Sequence, residues 1–118
     1  MRVLPRDRIK GNYVLKQQGY KCQIDESHKT FTTKNGNIYM EKHHLIPMEY
    51  YDSFEYSLDD ISNIVSLCPT CHRKIHLGEA NERNKMIEKL FAQQGEKIKS
   101  RLKISITAND IKRLYTSS

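Results

Sequence analysis

The chain lacks any run approaching the roughly 18 to 20 consecutive apolar residues that a membrane-spanning helix requires. Hydrophobic residues occupy 37% of its 118 positions, so no membrane partner is expected. An export signal is also missing from the expected features, because Arg2, Arg6 and Arg8 are not followed by an apolar stretch. A cytoplasmic location is therefore expected. Cysteine is scarce and odd in number, at Cys22, Cys68 and Cys71. An odd count without export argues against a disulfide framework and makes metal ligation the leading use. There is no internal repeat and no low-complexity segment. The length suits one domain over 1–118, with a core at about 20–78 and basic helical extensions on both sides.

Charge is present in excess of one sign: 20 Lys and Arg against 14 Asp and Glu, a net charge of +6. The distribution says more than the sum. Residues 1–21 carry Arg2, Arg6, Arg8, Lys10, Lys16 and Lys21 against Asp7 alone, and residues 73–103 carry nine basic side chains against four glutamates. Glu49, Asp52, Glu55, Asp59 and Asp60 lie between. Two basic flanks fit a polyanionic partner such as DNA, whose backbone they would grip on either side of a working centre. Solvated helix faces are the competing explanation for any single lysine.

Apolar spacing predicts a helix over 6–19 (Ile9, Tyr13, Val14), weakened by Gly11. Thr30 to Thr33 and Asn37 to His44 flank Asn35-Gly36, which predicts a hairpin, and Pro47 closes its second strand. Residues 48–62 read as a loop with four aromatics, Tyr50, Tyr51, Phe54 and Tyr56, which could contact DNA, cover the core or form a dimer contact. Ile64 to Leu67 is a short apolar run. A short helix carries His72 to His76 and stops at Gly78, and a longer one follows at about 80–94 on the stripe Met86, Ile87, Leu90, Phe91. Thr107 caps a last helix bearing Ile111, Leu114 and Tyr115.

Cys68-x-x-Cys71 is the spacing at which two thiolates on one turn bind a single tetrahedral ion, and Cys22 offers a third from another turn. The fourth ligand is His28 or Asp25. A Cys3His set suits the softness of Zn2+ better, so His28 is favoured. This zinc is expected to be structural, tying the turn at 22–28 to the turn at 68–71.

Four of the five histidines fall in two groups, His43-His44 and His72-x3-His76. Positions i and i+4 share a helix face, so His72 and His76 can grip one cation. Asn63 lies between the groups. Glu41-Lys-His-His-Leu-Ile-Pro47 and Asn63-Ile-Val-Ser-Leu-Cys-Pro-Thr-Cys-His-Arg-Lys-Ile-His76 together resemble the HNH endonuclease signature. The resemblance spans about 22–78 and is to the zinc-containing variant of McrA-like restriction nucleases. The spacing of Asn63, His72 and His76 is also similar to that of bacterial DNase colicins.

The resemblance implies an α+β fold: a small ββα-metal (His-Me finger) nuclease core with a structural zinc knuckle and flanking helices. It implies metal-dependent hydrolysis of DNA phosphodiester bonds, leaving 5′-phosphate and 3′-hydroxyl ends, in restriction or phage defence. His44 would be the general base, and His43, His72 and His76 would hold one catalytic ion such as Mg2+, Mn2+ or Ni2+. Asn63 would brace the loop and orient His44. Neighbouring strand residues point to opposite faces, so His43 and His44 can serve one phosphate only where the strand twists or ends. Two other classes compete: a zinc-dependent DNA-binding module without catalysis, and an RNase or toxin-like nuclease of the same fold. A duplex break needs two active sites or two visits, so a homodimer is one candidate arrangement, and target recognition would come from the termini or a partner chain.

Overall fold

The computed structural model describes residues 8–116. Its first helix, α1, spans Arg8–Gln17; positions 6 and 7 of the expected helix, and the basic Arg2 and Arg6, lie outside the described residues. Gly11 sits where α1 crosses the side chain of Lys42, and a Cβ there would run into Lys42 Cδ. The residue that weakened the helix in sequence is thus one that lets it pack. Gly19 and Tyr20 both take left-handed backbone (φ 64° and 56°), and Tyr20 N–H donates to Leu15 O at 2.9 Å. This reversal delivers the chain into Cys22.

The hairpin turns at Asn35-Gly36 as expected but is only a narrow finger. Thr33 N–H donates to Asn37 O, Tyr39 N–H to Phe31 O, and the ladder is a single bridge between Thr32 and Ile38. The histidine-bearing strand β1, Glu41–His44, pairs instead with β2, Ile64–Leu67. They run antiparallel with Glu41 opposite Leu67, Lys42 opposite Ser66, His43 opposite Val65 and His44 opposite Ile64. All four β2 residues are buried. Burying that apolar run rewards the distant pairing more than extending the exposed finger would. Between the strands run two short 3-10 turns, Met48–Ser53 and Ile61–Asn63. The aromatic loop covers the core: Tyr50, Tyr51 and Phe54 pack against it, while Tyr56 is exposed.

Helix α2 covers Pro69–Leu77, with Cys68 as its N-cap, its sulfur accepting from Cys71 N–H at 3.4 Å, and Pro69 in the first turn. Gly78 is its C-cap, leaving the helix in extended backbone while its N–H donates to Lys74 O at 2.8 Å. A Cβ there would meet that oxygen at 2.6 Å, so glycine fits where a side chain would not. Helix α3, Ala80–Leu102, runs eight residues beyond the expected end at 94. Gln93, Gln94 and Gly95 break the apolar stripe in sequence, yet Gln94 is buried and bonded. Its amide donates to Ser62 O at 2.8 Å and accepts from Gln23 Nε2 at 3.2 Å. The stripe then resumes at Ile98 and Leu102. Helix α4, Ala108–Thr116, is capped reciprocally: Thr107 N–H donates to Asp110 Oδ2 and Asp110 N–H to Thr107 Oγ1.

The result is an α+β fold in which β1, β2 and α2 form a ββα unit flanked by the other helices. One continuous apolar core joins Leu15 of α1, Leu45, Leu58, Val65, Leu67, Ile75 of α2, Leu90 of α3 and Ile111 of α4. Among the described residues no helix is long and apolar enough to cross a membrane.

Candidate active site

Cys22, His28, Cys68 and Cys71 converge so that their ligand atoms lie within 4.8 Å of one another. His28 Nδ1 is 3.6 Å from Cys68 Sγ and 3.4 Å from Cys71 Sγ. Asp25 does other work. Its Oδ1 accepts from Ser27 N–H and Ser27 Oγ–H, shaping the turn, and its Oδ2 stands 3.7 Å from His28 Nε2, behind the ring. The imidazole thus offers Nδ1 to the sulfurs with a carboxylate on its far side. Burial pushes the Cys22 thiol up, but backbone N–H groups of Cys68 and Asp25, the His28 ring and Ile24 N–H outweigh it and bring it to about 7. Cys71 is pushed up, by burial and then by the neighbouring Cys22 and Cys68 sulfurs. Crowded thiolates of this kind repel without a cation among them. Three sulfurs and one imidazole are a donor set that fits zinc.

A second cluster lies on the other side of α2. His43, His72 and His76 bring their ligand nitrogens within 4.8 Å of one another. The ring centroids of His43 stand 5.2 Å from His72 and 4.9 Å from His76. Each residue advances a helix by about 100°, so Cys71 and His72 can be neighbours in sequence and serve different sites. His72 Nδ1–H donates to Glu41 Oε1 at 2.8 Å, and Tyr39 O–H donates to the other oxygen, Oε2, at 2.8 Å. The His72 hydrogen bond, with Tyr39 and Arg73 helping against burial, holds the Glu41 carboxyl below the usual range. Glu41 therefore stays ionised and fixes the His72 lone pair on Nε2. Burial, then the neighbouring His76, His72 and His44 rings, holds His43 well below the ordinary imidazole value. His76 is lowered by burial and by His72. Neutral imidazole is the metal-binding form, and three ring nitrogens this close together fit a divalent cation.

His43 and His44 do take opposite faces of β1, and the strand ends there. His43 turns to the rings of α2, whereas His44 Nε2 lies 2.9 Å from Asp59 Oδ1. Both nevertheless line one cavity of about 270 Å³, together with Lys42, Pro47, Met48, Glu49, His72 and His76. Asn63 is fully buried, and its carboxamide serves backbone. Oδ1 accepts from Ile46 N–H at 2.7 Å, and Nδ2 donates to Ile46 O at 3.0 Å and Leu58 O at 2.9 Å. Leu45 N–H donates to Asn63 O. Asn63 thus clamps the segment after His44, and Asp59 contacts the imidazole directly. Sequence reasoning assigned no site role to Asp59, Glu41 or Tyr115. Glu41 carried a usable signal, two residues before His43 on the same strand face.

Residues 22–78 match the sequence model of the HNH endonuclease family. The type IV methyl-directed restriction enzyme EcoKMcrA of Escherichia coli strain K12 is 31% identical over 90 residues, which cover 76% of this chain and 30% of that one. Anaredoxin of a Nostoc species is 39% identical over 54 residues, covering 46% of this chain and 64% of that protein. The chain thus spans under a third of the restriction enzyme and under two thirds of anaredoxin. Both candidate metal-ligand clusters, His44 and Asn63 all fall inside the matched segment, and residues 22–78 are a domain of the HNH endonuclease family.

Proposed function

We propose that this protein is a metal-dependent endonuclease that hydrolyses DNA phosphodiester bonds, with His44 as general base. The observation that carries the reading is that His44 opens onto the same cavity as the His43, His72, His76 cluster. One cavity would then offer a base and a cation site to the same phosphate. His44 Nε2–H donates to the Asp59 carboxylate, which puts the ring's lone pair on Nδ1. An attacking water gives its proton to that nitrogen as its oxygen bonds to phosphorus. The P–O3′ bond breaks, and the 3′ oxygen leaves and takes a proton from solvent, yielding 5′-phosphate and 3′-hydroxyl ends. His43, His72 and His76 would hold a divalent cation such as Mg2+, Mn2+ or Ni2+. Bound there, it would stabilise charge on the phosphoryl oxygens and the departing oxygen. Asn63 keeps the backbone after His44 in place.

Cys22, His28, Cys68 and Cys71 are assigned to a structural Zn2+, and α1, α3 and α4 to the same domain as the core. The net charge of +6 supports a nucleic-acid substrate. The methyl-directed restriction enzyme among the relatives supports a cytoplasmic role in restriction or phage defence. A homodimer would supply the second active site for a duplex break, and a partner chain would supply target recognition.

The test is cleavage of plasmid DNA by zinc-loaded protein across a series of divalent cations, with single-stranded DNA and RNA alongside. Ion-dependent nicking is expected, and His44→Ala is expected to lower its rate about 100- to 10,000-fold with zinc content unchanged. Binding without cutting under every cation would replace this reading with a non-catalytic zinc module. A preference for RNA would replace it with an RNase.

A further inference from the structure

Helix α4 lies beyond the segment that matches the family, yet its last turn reaches into the histidine cluster. Tyr115 is buried there, and its hydroxyl donates to the carbonyl oxygen of Leu45 at 2.6 Å. The same hydroxyl oxygen stands 2.8 Å from His43 Nε2. A phenol has one proton to give. With that proton directed to the Leu45 carbonyl, the oxygen can only accept at His43, so Nε2 must be the ring nitrogen that carries hydrogen. An imidazole that binds a cation must offer a lone pair, and only Nδ1 remains to offer it.

We propose that Tyr115 is a positioning residue for the metal centre: it fixes His43 as the Nε2–H tautomer and makes Nδ1 the nitrogen offered to a divalent cation. The inference rests on the reading of His43, His72 and His76 as a cation site. The cluster is then mixed. His72, held at Nδ1 by Glu41, offers Nε2, whereas His43, held at Nε2 by Tyr115, offers Nδ1. Each tautomer is set by a different element, β1 for His72 and α4 for His43. Tyr115 also pins the carbonyl one residue after His44, so a single hydroxyl holds both the ligand ring and the backbone where β1 ends.

Long-range proton–nitrogen correlation spectra of the imidazoles, on the zinc-loaded full chain without a second cation, read the tautomer directly. The Nε2–H form is expected for His43; the Nδ1–H form overturns the proposal. Tyr115→Phe keeps the ring and its packing and removes only the hydroxyl. Calorimetric titration with Ni2+ is expected to show about 10- to 100-fold weaker binding in this variant, the usual cost of losing such a partner, at unchanged zinc content. Equal Ni2+ affinity in a folded, zinc-loaded Tyr115→Phe overturns the proposal while leaving the cation site standing. Absence of Ni2+ and Mn2+ binding to the wild-type histidines removes the cation site itself, and the proposal with it. The wild-type spectrum decides the tautomer even where the variant fails to fold.

Discussion

Cys71 and His72 are consecutive on α2, but the two clusters they join differ in every respect that matters to chemistry. The knuckle brings four candidate ligands from two turns far apart in sequence, three of them buried sulfurs, a complete set for a tetrahedral ion. The histidine cluster has three ligands and opens on a cavity of about 270 Å³. Closed four-ligand sites hold proteins together, and three-ligand sites with an open position do chemistry. A helix of nine residues can carry both because its faces are independent. On the proposed reading the arrangement also separates failure modes: one cluster would be a determinant of folding, the other of turnover.

The largest expected effect breaks that separation at the knuckle. Cys68→Ser removes a zinc ligand and also the sulfur that accepts from Cys71 N–H at the start of α2. Metal binding in small zinc modules contributes on the order of 10 kcal/mol, comparable to the whole stability of a small domain. Cys68→Ser is therefore expected to lose zinc and its cooperative thermal transition together. His76→Ala, two helical turns from Cys68, is expected to keep both. Calorimetric melting with zinc analysis on the two variants checks the contrast; equal melting behaviour would mean that the knuckle is not the staple.

A smaller effect sharpens the histidine side. Asp59 lies 15 residues from His44 and accepts from its Nε2 at 2.9 Å, while its own carbonyl accepts from Lys10 Nζ at 2.8 Å. Asp59→Asn can present an amide N–H to the ring and favour the wrong tautomer for a base. A drop in kcat of about 10- to 1,000-fold with little change in KM is expected, by analogy with other carboxylate–imidazole pairs. Zinc content and melting should not move. A variant that cuts at the wild-type rate would remove Asp59 from the mechanism.

The same contrast explains what the sequence could and could not reveal. The Cys68, Cys71 pair and the His72, His76 pair are local patterns, set by a turn and by helical periodicity; Cys22 joins the first from a separate turn far earlier in the chain. The capped start of α4 was equally legible, since Thr107 and Asp110 are three residues apart. The partner of β1 was not. Asn35-Gly36 makes its turn, but which strand lies beside His43 depends on burying Ile64 to Leu67, an energy that belongs to the assembled core. The end of α3 was hidden because Gln94 looks like a surface residue until Ser62 and Gln23 are seen to satisfy it. Asp59, Glu41 and Tyr115 meet their histidines across 15, 31 and 72 positions. No spacing rule links such pairs. Identity of the ligands is a local property here; their orientation is not.

The smallest effect concerns the aspartate next to Asp59, which turns the other way. Asp60 accepts from Ser62 N–H and Oγ–H, capping the turn that carries Asn63, and takes two bonds from Arg101 of α3 at 2.8 and 2.9 Å. Burial pushes its carboxyl up, but Arg101 and Ser62 outweigh it and bring it to about 2. The folded value lies below the roughly 3.9 of an unfolded aspartate. The stabilisation is therefore complete above about pH 4 and is lost as pH falls towards 2. Arg101 is half exposed, so solvent screening limits the ion pair to about 0.5 to 1 kcal/mol. Arg101→Gln is expected to lower stability by that amount at neutral pH and to flatten the acid limb between pH 4 and 2. Urea unfolding at a series of pH values measures both. Because Asp60 holds the segment that clamps His44 and not the knuckle, hydrogen exchange in Arg101→Gln should quicken at Ser62 and Ile46 before it does at Cys71. Faster exchange at Cys71 first would mean that the two clusters share one local unfolding event and that the separation drawn between them fails.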